Sequence, residues 1–151
     1  MGIYVCEFEF VEDGEVTLAW PFWPGYVACT EGYGLDDAVT MAADWLRIMV
    51  LDYLAKGEAV PACVFGHEAE RGGKVIAVAI EADLSEVPAM TAAEAARTLG
   101  VSTARVAQLC KAGQLDSWKV GGTRMVSRES VEMRLSDVPA AGRPRKEVAT
   151  T

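Results

Sequence analysis

Between Ser102 and Arg124 the chain gathers side chains suited to gripping a polyanion. Thr103, Arg105, Gln108 and Lys111 are the long or polar outward residues of one short predicted helix. Arginine and glutamine can make forked hydrogen bonds to base edges in a major groove, whereas lysine and serine suit phosphate oxygens. Ser102 stands where it would cap that helix, leaving amides free at its N-terminus for a phosphate. Further on, Lys119 and Arg124 bracket Gly121, Gly122 and Thr123, placing two cations around a glycine tip. The same cations could line an ordinary solvated face, so spacing alone leaves both readings open.

Other chemistry is poorly supplied. Glu7 and Glu9 share a strand face, while Asp36, Asp44 and Asp52 fall on the polar side of a helix, away from the sheet. Two-metal hydrolysis needs carboxylates converging on ions ~4 Å apart. These acids are expected to be solvated faces, and the chain is not expected to be an enzyme. His67 follows Gly66 in a polar loop without a serine–acid or cysteine arrangement beside it, which predicts a surface residue. Cys6, Cys29, Cys63 and Cys110 are scattered and form no C-x-x-C pair. Structural zinc is therefore not expected, nor any metal or cofactor. Small buried thiols in a reducing compartment are.

Charge is segregated along the 151 residues, whose formal net charge is −8. Residues 1–88 hold four basic and sixteen acidic side chains, net −12, whereas residues 89–151 hold ten basic and six acidic, net +4. A duplex would repel the first part and attract the second. Three segments follow: a domain over 1–88, a second over 89–138, and a loose polar tail over 139–151. No apolar run approaches the ~20 residues that span a bilayer. The opening Met1–Glu7 lacks the basic start and apolar stretch of a signal peptide, which predicts a cytoplasmic location.

The first domain reads as α+β. Ile3–Val11 alternates with period two, Asp13-Gly14 signals a tight turn, and Val16–Trp20 returns as a second strand. Tyr26–Thr30 reads as a third, after the Pro24-Gly25 interruption. From Leu35 the period changes: Leu35, Ala38, Val39, Ala42, Trp45, Leu46, Met49 and Leu54 recur at helical steps. Ala62–Phe65 and Val75–Ile80 read as strands, the second after a Gly72-Gly73 turn. With Val75–Ile80 as the strand that closes the sheet, and Ala62–Phe65 a short apolar stretch before it, the order is β-β-β-α-β. Trp20, Phe22, Trp23 and Tyr26 concentrate aromatic area near the Pro-Gly loop; Phe22, Trp23 and Tyr26 are the expected partner contacts, unless they plug the core instead.

The second domain is mostly helical. Thr91-Ala92-Ala93-Glu94 has the pattern of a capping box, and the helix it opens runs to Leu99. Gly100 supplies a left-handed turn, and a second helix from Ser102 turns Val106 and Leu109 inward. Trp118–Val120 and Thr123–Val126 form a hairpin, and Ser127 caps a last helix bearing Val131 and Leu135.

Two family resemblances follow. Met90–Ser102, Val106–Leu115 and Lys119–Arg124 resemble excisionase-type, MerR-like helix-turn-helix domains. The resemblance implies a winged helix-turn-helix whose contacts to double-stranded DNA come from Ser102, Thr103, Arg105, Gln108, Lys111, Lys119, Gly121, Gly122, Thr123 and Arg124. The first domain is similar to HicB-like antitoxins through Asp13-Gly14, Trp23-Pro24-Gly25, Thr30-Glu31-Gly32 and Leu35-Asp36-Asp37-Ala38. That resemblance implies a partial RNase H-like fold, a small basic RNA-cleaving partner of the HicA kind, and repression of the chain's own operon. DNA reading of this type implies a homodimer or larger twofold assembly. The alternative is a solitary DNA-binding regulator whose first domain only dimerises or holds another ligand.

Overall fold

The computed structural model describes residues 2–137, and the tail expected over 139–151 lies outside the described residues. The chain divides after Val87 into two compact units.

The first unit runs β1 (Gly2–Asp13), β2 (Val16–Pro21), β3 (Thr30–Gly32), α1 (Gly34–Lys56), a 3-10 turn at Leu84–Glu86 and, before that turn, β4 (Lys74–Ala82). Its four strands lie in the order β3-β2-β1-β4, antiparallel throughout. One sheet face is apolar because period-two alternation sends Cys6, Phe8 and Phe10 of β1 the same way as Val78, Ile80 and Ala82 of β4. Across from them α1 supplies Ala38, Ala42, Leu46 and Val50, all fully buried. Each large side chain fully removed from water there, such as Phe8 or Leu46, contributes about 2 kcal/mol.

The helix is rotated slightly from the expected face. Leu35 is exposed, whereas Val50, absent from the expected stripe, is fully buried. Leu35 sits one residue inside the helix start at Gly34, ahead of the turns that lie on the sheet.

Two strand expectations need correction. The third strand is Thr30–Gly32, and Tyr26–Cys29 joins no ladder. Tyr26 turns its ring onto Trp45, centroids 4.9 Å apart, which removes the segment from the sheet plane. Ala62–Phe65 is not a strand either; Val64 and Phe65 are exposed, and the segment has no pairing partner.

The second unit runs β5 (Ala89–Thr91), α2 (Ala92–Leu99), α3 (Thr103–Lys111), β6 (Ser117–Val120), β7 (Thr123–Ser127) and α4 (Arg128–Ser136). Its core joins Met90, Ala95, Ala96, Val106, Leu109, Leu115, Val126 and Val131. Small Ala95 and Ala96 let α2 and α3 cross closely. Of the two apolar residues noted on the last helix, Val131 is buried and Leu135 is exposed.

Candidate functional site

Local chemistry sets the two helices of the second unit. Thr91 Oγ1 accepts from the Glu94 amide at 3.2 Å, while Glu94 Oε2 accepts from the Thr91 amide at 2.8 Å. Both halves of the capping box are present. The Thr91 amide and hydroxyl also hold the Glu94 carboxyl below its ordinary range. Gly100 closes α2 in the left-handed region, φ 68°, and its neighbour Val101 returns an amide to Ala96 O at 3.0 Å. That geometry turns the chain sharply into the next helix, and a Cβ would strain it.

Ser102 Oγ then accepts from the Arg105 amide at 3.1 Å and caps α3. The amides of Thr103 and Ala104 precede the first intrahelical bond and point out of the helix start. Val106 and Leu109 are the buried residues of α3, so Thr103, Arg105, Gln108 and Lys111 are all exposed on its remaining surface. Arg105 Nη1 donates to Gln108 Oε1 at 3.2 Å. A guanidinium and an amide thus present their remaining donors together.

The hairpin is anchored more firmly than the sequence suggests. β5, which sequence reading did not foresee, pairs with β7, giving a three-stranded sheet in the order β5-β7-β6. Gly121 and Gly122 have φ of 55° and 84°, the paired positive values that a two-residue hairpin turn demands. Lys119 and Arg124 face each other across the ladder. Lys119, Gly121, Gly122 and Thr123 are exposed. Arg124 is half-buried, with Nη1 donating to Ser117 Oγ at 3.1 Å, so its guanidinium is already oriented.

In the first unit the expected partner residues differ in burial. Phe22 is half-buried and stacks on His67, ring centroids 4.2 Å apart and 13° from parallel. Tyr26 is half-buried against Trp45. Trp23 is a core residue, 7% exposed, set edge-on to Trp45 and Tyr53. They differ in burial but not in place: Phe22, Trp23, Tyr26 and exposed Val27 all line one open pocket of about 200 Å³, together with Trp20, Glu70 and Arg71.

The expectation of solvated carboxylates fails for β1. Glu9 is fully buried and Glu7 nearly so. Glu9 accepts backbone amides from Glu70 (2.8 Å), Arg71 (2.8 Å to Oε2) and Gly73 (2.8 Å). Glu7 Oε1 accepts the His67 amide at 3.0 Å and lies 2.8 Å from His67 Nδ1. His67 is half-buried, not a free surface residue. The two carboxylates pin the segment between α1 and β4 onto the sheet face opposite α1. Burial by itself pushes the Glu9 carboxyl up; the Gly73, Glu70 and Arg71 amides, with the Arg71 guanidinium, outweigh it and hold the group below the usual range. For Glu7 the His67 amide is the main cause of a lowered pKa, followed by the His67 ring. Arg71 also lies over the Trp20 ring, 3.9 Å from its centroid. The signal available in the sequence was two acids set within the apolar run Cys6-Glu7-Phe8-Glu9-Phe10, which a long strand buried on both faces must satisfy internally.

Asp36, Asp44 and Asp52 are exposed, Asp52 pairing with Lys56 at 2.9 Å. The four cysteines are free thiols. Cys6 is buried, and burial pushes its thiol up to about 12. Among the described residues no helix is long and apolar enough to cross a membrane.

No match is found among curated proteins. A solved structure described as a toxin–antitoxin complex from Streptococcus pneumoniae is 16% identical, with a TM-score of 0.41, covering 74% of this chain and 97% of that one. Residues 89–137, the whole of the described second unit apart from its first residue, match the helix-turn-helix domain family.

Proposed function

We propose that this protein is a DNA-binding transcriptional repressor and antitoxin. Its second unit docks on operator DNA, and its acidic first unit holds a small basic RNA-cleaving protein of the HicA kind. The observation that carries the DNA half is the exposed surface of α3, where Arg105, Gln108 and Lys111 follow the Ser102 cap within a helix-turn-helix domain. In this reading α3 enters the major groove, as the resemblance to MerR-like domains implies, and Arg105 and Gln108 address base edges. Lys111, the Ser102 end of α3, and the Lys119–Arg124 hairpin acting as a wing take phosphates.

The protein-binding half is supported by charge and by the landmark residues that resemble HicB-like antitoxins. A unit of net −12 attracts a cationic RNA-binding protein and rejects nucleic acid itself. Phe22 and Tyr26 are the aromatic contacts offered at the pocket beside Arg71. The first unit is assigned a partial RNase H-like fold used for binding and not for hydrolysis, since Glu7 and Glu9 are occupied in holding their own chain. No cofactor enters this function, and its setting is the cytoplasm.

A mobility shift with the chain's own promoter tests the first half, and co-purification from the native operon tests the second. Retarded promoter DNA that an unrelated duplex does not compete away is the expected result. No shift at low salt would refute the DNA reading, and recovery of the chain without a small basic protein would refute the antitoxin reading.

A further inference from the structure

β4 is an edge strand of the first unit's sheet. Glu7 O accepts from the Phe22 amide at 2.9 Å, so odd-numbered residues of β1 bond toward β2. Alternation then directs the backbone groups of Tyr4, Cys6, Phe8 and Phe10 toward β4, where their partners are Ile80, Val78, Ile76 and Lys74. Val75, Ala77, Ala79 and Glu81 are left with backbone groups directed off the sheet. Both ends of that row are stopped: Gly73 gives its amide to Glu9 Oε2 at 2.8 Å, and Glu81 O accepts from Arg47 Nη1. Between them Val75, Ala77 and Ala79 form a neutral open row, and the Ala77 and Ala79 side chains are exposed. The register with β1 is continuous from Gly2↔Ala82 to Phe10↔Lys74. No proline, bulge or charge interrupts the row. Edges of this kind recruit another strand.

We infer that this edge joins a second copy of the same chain, strand to antiparallel strand, about a twofold axis at Ala77. The row is symmetric about that residue: Ala77 faces its own copy, and Val75 faces Ala79. In the same register Lys74 meets Ile80 and Glu81 meets Gly73, so no like charges oppose each other. The basic start of each strand lies beside the acidic finish of the other. A parallel mate would instead set Lys74 against Lys74 and Glu81 against Glu81. A strand from a cationic protein would find no carboxylate along the open row. The inference goes beyond the DNA reading, which asks for a twofold assembly but names no surface, and substitutions at Ala77 test the surface itself.

The full chain is measured by light scattering without DNA or partner. Wild type is expected at twice the monomer mass, with the dimer favoured by added salt, because screening relieves the repulsion between two acidic units. Ala77→Pro removes an outward amide and no bond of the internal ladder, and is expected to run as a folded monomer. Ala77→Lys and Ala77→Glu each place like charges opposite themselves, raising the dissociation constant at least about tenfold. An equimolar mixture of the two is expected to restore the dimer, and it remains informative if the proline variant misfolds. A monomeric wild type, an unaltered dimer in Ala77→Pro, or a mixture no more associated than its components would overturn the inference.

Discussion

Arg105 Nη1 lies 3.2 Å from Gln108 Oε1, one helical turn away on the exposed surface of α3. The contact limits the rotamers of both side chains before any ligand arrives, which lowers the entropy lost on docking. Arg105→Ala is expected to cost about 1–3 kcal/mol against the preferred operator and to relax discrimination at one base position. Binding measured across a panel of single-base operator variants checks this. Equal losses on every sequence would place Arg105 on phosphate instead.

Lys119 belongs to the hairpin and is expected to act through charge. Lys119→Ala should weaken all duplexes alike and lower the slope of log affinity against log salt by about 1. A titration series over salt concentration reads the slope directly. An unchanged slope would remove the hairpin from the interface.

Thr91 caps α2 from both sides of a reciprocal pair of hydrogen bonds. Thr91→Ala is expected to lower the stability of the second unit by about 1 kcal/mol. The urea midpoint falls accordingly, with an unchanged denaturant slope, since the surface exposed on unfolding stays the same.

Glu9 couples the stability of the first unit to pH. Its carboxyl is held below the ordinary glutamate range when folded, so the stabilisation is complete above that range, about 4.3. It is lost as pH falls through the lower folded value. Glu9→Gln sets an amide NH2 against backbone donors and is expected to cost about 2 kcal/mol at neutral pH. Thermal melts from pH 7 down to pH 3 should show a steeper acid loss in wild type than in the variant. Parallel curves would mean that Glu9 does not titrate with folding.

Freeing the pinned segment is a separate matter from titration. His67→Ala removes the ring that lies beside Glu7 and over Phe22 but keeps the backbone amide that Glu7 accepts. Hydrogen exchange should quicken within residues 58–73 while the β1–β4 amides stay protected. Uniform acceleration across the sheet would show that the segment and the core open together.

By itself the sequence determined whatever depends on near neighbours. The Thr91–Glu94 box, the Gly100 turn, the Ser102 cap and the Gly121-Gly122 hairpin are encoded within a few residues, because caps and tight turns are satisfied locally. The outward placement of Arg105, Gln108 and Lys111 was legible for the same reason: burying Val106 and Leu109 leaves a short helix one remaining surface. Tertiary structure decided what spans long separations. Glu9 receives amides from residues more than sixty positions away, and nothing in its own strand tells a solvated acid from one sealed under a returning segment. The same holds for Trp23, whose place inside the core depends on Trp45 and Tyr53 arriving from α1. Which strand ends the sheet, and so which backbone groups stay unpaired along β4, follows from pairing order, a property of the assembled sheet and of no single segment.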